Sequence, residues 1–141
     1  MSKSLGNYFT LEAILQEVEP MVLRYYFLIH HYKTPLDFSV DDLKAAQKSY
    51  QKLIRIFNTV ECPKIISQKD VQDAPLVLSM IDYLLDDLNT PGMFGVLFSH
   101  LDILQNDQKQ ACMVKAFLKE VLGLTLKPLP KKEVEVTPEI Q

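Results

Sequence analysis

Residues 39–58 read Ser39-Val40-Asp41-Asp42-Leu43-Lys44-Ala45-Ala46-Gln47-Lys48-Ser49-Tyr50-Gln51-Lys52-Leu53-Ile54-Arg55-Ile56-Phe57-Asn58. Leu43, Ala46, Tyr50, Leu53, Ile54 and Phe57 recur at the three- and four-residue spacing that lines up one face of an α-helix. Lys44, Lys48, Lys52 and Arg55 fall on the other side, within about 80° of arc at about 100° per residue. Ser39 is suited to cap the helix N-terminus, with Asp42 three residues on as a variant of the capping box. The apolar face demands other helices to cover it. The basic face has the charge to meet a phosphate backbone, but a solvated charged face has the same pattern, so these residues alone leave both readings open.

Working upstream, Lys33-Thr34-Pro35-Leu36-Asp37-Phe38 breaks the chain before this helix. Pro20 fits the first turn of a helix from Met21 to about His30, and Thr10 fits the N-cap of a short one carrying Leu11, Ile14, Leu15 and Val18. The helix from Met21 has almost no polar face. It is expected to be buried on several sides, or else to expose an apolar patch around 21–29 through which the chain self-associates. Its one charge is Arg24, whose stem is expected to be buried while its head reaches solvent or a carboxylate.

Working downstream, Thr59 to Ala74 reads as a loop, and Val77, Met80, Ile81, Leu84, Leu85 and Leu88 stripe a helix over about 76–88. Thr90 and Pro91 then predict an N-cap and first turn for a helix carrying Met93, Val96, Leu97, Leu101 and Leu104. After Asn106-Asp107 a last helix carries Ala111, Val114, Phe117, Leu118 and Val121 and ends at Gly123. No stretch alternates with the period of a strand. The reading is an all-α protein of about six helices, an antiparallel bundle preceded by a short segment. Pro128, Pro130 and the Lys131-Lys132-Glu133 run read as a linker, and Thr137-Pro138-Glu139 as the truncated start of a further helix.

Composition sets outer limits. The 141 residues, 48% hydrophobic, suffice for one globular domain or two small ones packed together. Net charge is −3, so any nucleic-acid contact must use locally concentrated cations. Two cysteines exclude a disulfide framework and suit a reducing, cytoplasmic setting, and no apolar run approaches the length of a membrane span. No metal site is expected within the chain. His30 and His31 are adjacent and point about 100° apart on a helix, and Cys62 and Cys112 are far apart in sequence. Asp82 and Asp86 read as solvated or helix-end charges, with nothing reactive beside them in sequence.

Met1-Ser2-Lys3-Ser4-Leu5-Gly6-Asn7 is a polar loop whose ammonium, hydroxyls and backbone N–H groups suit a polyphosphate, although taken alone it is also what a solvated N-terminus looks like. Met1–Ser4 resembles the last four residues of the KMSKS motif of class I aminoacyl-tRNA synthetases, and Ser2–Thr10 resembles the form found in cysteinyl-tRNA synthetases. Leu23-Arg24-Tyr25-Tyr26 resembles that family's Leu-Arg helix. His31-Tyr32-Lys33-Thr34-Pro35-Leu36 resembles its His-Tyr-Arg-Ser-Pro-Leu block, and Asp86-Asp87-Leu88-Asn89-Thr90-Pro91 its Asp-Asp-x-Asn-Thr-Pro turn. The blocks keep family order across roughly the first hundred residues. The first Lys of KMSKS has no counterpart, because the sequence starts at the Met.

The resemblance implies a C-terminal fragment of cysteine–tRNA ligase in which residues 1–38 carry the KMSKS loop and stem-contact helices. Residues 39–123 would form the bundle on the anticodon side of the tRNA, and 124–141 a linker with the start of a helix. The intact enzyme would use ATP and cysteine to make cysteinyl-adenylate and pass cysteine to its tRNA. Lys3 would be the catalytic residue, with Ser2, Lys3 and Ser4 on the ATP phosphates and Lys44, Lys48, Lys52 and Arg55 on the tRNA. Zinc would belong only to the upstream catalytic domain. No membrane and no DNA partner is implied, and the isolated chain is expected to be inactive. The alternatives are a free-standing, non-catalytic tRNA-binding module, a helical protein-interaction domain, and a small-thiol cysteine ligase sharing the loop motif.

Overall fold

A computed structural model describes residues 10–63 and 65–130 and places eight α-helices among them, with no strand. They are α1 (Leu11–Glu17), α2 (Pro20–Leu28), α3 (Val40–Phe57), α4 (Gln68–Gln72), α5 (Pro75–Leu85), α6 (Thr90–Ser99), α7 (Leu101–Asn106) and α8 (Gln108–Glu120). None of the described helices is long and apolar enough to cross a membrane.

Local chemistry sets most of the starts. The Ala13 N–H donates to Thr10 Oγ1 at 3.1 Å, Pro20 opens α2, and the Asp42 N–H donates to Ser39 Oγ at 3.1 Å. Helix α3 is the longest of the described helices. Its Leu43, Ala46, Tyr50, Leu53, Ile54 and Phe57 are all buried, as their spacing predicts, and α2 lies against it. Helices α5 and α6 fold into a tight hairpin, and α8 closes the bundle against α5 and α7. Tyr25 of α2 joins the segments. Its ring lies 5.4 Å from Tyr50 and edge-on to Phe94 at 5.2 Å, while its hydroxyl and Ser49 Oγ share a hydrogen bond of 2.8 Å.

Several elements depart from expectation. Residues 59–74 contain α4, started by a full capping box between Ser67 and Asp70. The helix after Asn89 is two, because Ser99 Oγ and His100 Nδ1 both bond the Val96 carbonyl and the backbone turns at His100. Asn89, rather than Thr90, is the N-cap of α6, its side-chain oxygen accepting from the Gly92 N–H at 3.0 Å. Helix α5 stops at Leu85, short of Leu88.

The exposed apolar surface includes the predicted helix only through Phe27 and extends beyond it. Val22, Leu23, Tyr25 and Tyr26 are buried, and Phe27 is the one large apolar side chain of α2 that is exposed. The larger exposed apolar surface runs over Leu85, Leu88 and Val121, at 79%, 57% and 55% exposure. Arg24 is exposed, as expected, and its head is also held by a backbone carbonyl rather than a carboxylate. Its Nε donates to the Leu122 carbonyl at 2.7 Å, at the negative end of α8. Gly123 turns there at φ +69°, and a Cβ would sit 2.8 Å from that guanidinium. Lys115 does the same service for α3, donating to the carbonyls of Phe57 at 3.0 Å and Val60 at 2.8 Å.

Packing continues past Gly123. Leu124 and Leu126 are buried, and the Leu126 N–H donates to the Tyr50 hydroxyl at 3.2 Å. The two cysteines, distant in sequence, meet in space: the Cys62 thiol donates to the Cys112 carbonyl at 3.4 Å. Burial pushes the Cys112 thiol up to about 12 from an ordinary value of 9.0, with the Cys62 thiol adding to the rise. A pKa raised on folding stabilises fully below the unfolded value, so this contribution is lost as pH climbs from about 9 towards 12. In the folded chain at neutral pH, iodoacetamide is expected to alkylate exposed Cys62 and spare buried Cys112, as read by peptide mass. Equal rates at the two thiols would refute this.

Candidate nucleic-acid interface

Lys44, Lys48, Lys52 and Arg55 are all exposed on the outer face of α3, opposite its buried stripe. The first and last lie eleven residues apart, about 16 Å along the axis at about 1.5 Å per residue. The described residues contain one ion pair, Lys33 with Asp87, and none of the four belongs to it. Like charges at i and i+4, as at Lys44/Lys48 and Lys48/Lys52, cost an isolated helix about 0.2–0.5 kcal/mol per pair. The three lysines therefore repel one another along α3, and only Arg55, in its last turn, is placed to favour the helix. What the row offers is a strip of positive potential on a chain whose net charge is −3.

A second cluster, not foreseen from sequence, joins two of the motif blocks. The Tyr32 hydroxyl donates to Asp87 Oδ1 at 2.6 Å, and the Lys33 ammonium pairs with Asp87 Oδ2. Thr90 Oγ1 donates to the His30 carbonyl at 3.5 Å. The hydrogen bond from Lys33, then that from Tyr32, holds the Asp87 carboxyl below its ordinary value of 3.8. Its contribution is present above that value and is lost as pH falls through the lowered one. Asp87 and Leu88 take φ of 53° and 54°, so this turn carries left-handed backbone at two non-glycine residues. Gly92 is required just beyond it, since a Cβ would lie 2.5 Å from the Tyr83 ring. The turn thus presents Asp87 to the block at 31–34. Spacing within one helix cannot reveal a contact 54 residues apart; the only signal was that both blocks carry family likeness.

Ser2, Lys3 and Ser4 lie outside the described residues. Asp82 and Asp86 are exposed on α5 and its end. Among the described residues, no group of three or more His, Cys, Asp or Glu side chains is placed to hold a metal ion.

The model of the class I (C) tRNA synthetase catalytic domain matches residues 1–48. The cysteine–tRNA ligase of Hydrogenovibrio crunogenus is 35% identical over 98 residues, covering 70% of this chain and 21% of that protein. That of Oleidesulfovibrio alaskensis is 38% identical over 109 residues, 70% of this chain and 22% of that protein. That of Pseudomonas aeruginosa is 31% identical over 129 residues, 88% of this chain and 27% of that protein. The chain thus corresponds to about a fifth to a quarter of the length of these relatives.

Proposed function

Because this chain is, in sequence, a member of the cysteine–tRNA ligase family, we propose that it serves as the tRNA-contacting portion of such a ligase, with the basic face of α3 on the RNA backbone. The observation that carries the reading is the row Lys44, Lys48, Lys52 and Arg55, exposed and in no ion pair among the described residues. Phosphate contacts release condensed counterions, so each should add about 0.9 to the log–log salt slope on duplex and about 0.7 on single strands. Reversing Lys48 and Lys52 to Glu is expected to weaken tRNA binding and flatten its slope by roughly 1.4–1.8. A fluorescence titration of tRNA at several salt concentrations reads both. An unchanged dissociation constant and slope would return the stripe to plain solvation.

In the whole enzyme, cysteine's carboxylate attacks the α-phosphorus of ATP and expels pyrophosphate; the adenylate then acylates the tRNA. Lys3, with Ser2 and Ser4, is proposed to close on the β- and γ-phosphates as their charge develops, as part of a KMSKS-like loop. Residues 1–38 are the stem-contact segment in this reading, 39–123 the anticodon-side bundle and 124–141 a linker. The resident zinc of the family is assigned in this proposal to the catalytic domain of the intact ligase, and no step is routed through it. The chain by itself is proposed to be inactive, because one loop lysine without a substrate pocket cannot position the reactants. The setting proposed is cytoplasmic.

A further inference from the structure

The stripe on α3 ends at a groove that the functional reading leaves without a role. Its lining brings Arg55 together with the apolar Ile56, Val60 and Leu104 and with the amides of Gln105 of α7 and Gln108 of α8. Its volume is about 360 Å³, within the range of small-molecule sites. No acidic side chain lines it. The side chains of Arg55, Gln105 and Gln108 make no hydrogen bond or ion pair with the described residues, so their donors are uncommitted.

The end of a helix normally repels anions, because its last carbonyls carry partial negative charge. Here a cation already offsets part of that charge. The Lys115 ammonium bonds the carbonyls of Phe57 and Val60, the second of these residues in the groove lining. The nearest carboxylate on α8, Asp107, is turned to its own helix, accepting from the N–H groups of Lys109 and Gln110 and from Gln110 Nε2. By contrast, the groove between α1 and α3 sets Glu17 beside Lys44, and the larger groove between α5 and α8 is almost wholly apolar with Glu120 on its rim. The Arg55 groove differs from these two in bringing a cation, two amides and apolar side chains together with no carboxylate in its lining.

We propose that this groove takes one unpaired ribonucleotide of the bound RNA. The phosphate lies against Arg55, the base rests on Ile56, Val60 and Leu104, and the amides of Gln105 and Gln108 meet its edge. A splayed base needs this set: a surface for its face, and neutral donors and acceptors for its edge. The inference rests on the tRNA-binding reading and adds to it a site at which single-stranded and paired RNA are told apart.

The test uses the 141-residue chain with two probes, an RNA stem closed by an unpaired loop and a blunt duplex of the same stem. Accommodating one base should make the looped probe bind about five- to a hundredfold tighter. Gln105→Ala with Gln108→Ala is expected to abolish that preference while leaving duplex affinity and its salt slope unchanged. Lys48→Glu with Lys52→Glu should weaken both probes alike. Circular dichroism confirms that each variant stays helical. Equal wild-type affinity for the two probes, or a preference that survives in Q105A/Q108A, would overturn the groove assignment and leave the stripe standing. Failure of the wild-type chain to bind either probe would overturn the RNA reading itself, and the groove with it.

Discussion

Replacing Lys3 by Ala in the proposed intact ligase is expected to slow cysteinyl-adenylate formation by roughly 10²–10³-fold, about 2.7–4 kcal/mol, the loss typical of one donor aimed at developing charge. Negative charge accumulates on the departing pyrophosphate only as the bond to the α-phosphorus breaks. An ammonium that closes on it at that moment stabilises the transition state more than bound ATP, so the loss should fall on kcat rather than on KM for ATP. Lys3→Arg should recover only part of the rate, since a planar fork replaces a compact point charge. Transfer from preformed adenylate to tRNA should be far less affected, because pyrophosphate has already left. Single-turnover kinetics separates the two steps. Normal adenylation in the Ala variant, or a slowdown confined to transfer, would remove Lys3 from this role.

The largest stability effect is expected at Tyr50. Its side chain is fully buried on α3, packs against the ring of Tyr25, and accepts the Leu126 N–H with its hydroxyl. Tyr50→Ala leaves an aromatic-sized cavity and an unpaired buried amide, and should destabilise the chain by about 3–5 kcal/mol. Tyr50→Phe keeps the packing and removes only the acceptor, costing about 1–3 kcal/mol. Urea denaturation followed by circular dichroism checks both. A loss below about 1 kcal/mol for Tyr50→Ala would mean that the segment around Leu124–Leu126 is not seated on α3.

The contrast between these residues shows what sequence could and could not reveal. Tyr50 was placed on the buried face by its spacing from Ala46, Leu53 and Ile54, because the core face of an 18-residue helix is a local property. Thr10, Pro20 and Ser39 were legible for the same reason, each satisfying or sparing a donor within its own first turn. What the tyrosine hydroxyl bonds was not legible, since its partner lies 76 residues away. The same holds for Arg24 on Leu122, Lys115 on Phe57 and Val60, and Asp87 on Tyr32 and Lys33: a charged head finds its partner only after the helices pack. One feature was available and passed over. Ser67-Gln68-Lys69-Asp70 spells a capping box, and α4 follows from it, but the prolines on either side of residues 64–74 weighed towards a loop. For the candidate interface, the helical period put four cations on one face, and solvent exposure without ion pairing is what the fold adds.

The central claim is that tRNA lies on the outer face of α3, and lysine-reactivity footprinting tests it most directly. Acetylation with an activated ester, read by peptide mass, reports each exposed lysine separately in the presence and absence of tRNA. Lys44, Lys48 and Lys52 are predicted to lose reactivity on adding tRNA, while Lys69 of α4 and Lys119 of α8, exposed as well, keep theirs. Protection confined to Lys69 and Lys119, or an even loss across all five, would contradict the assignment of the RNA to α3.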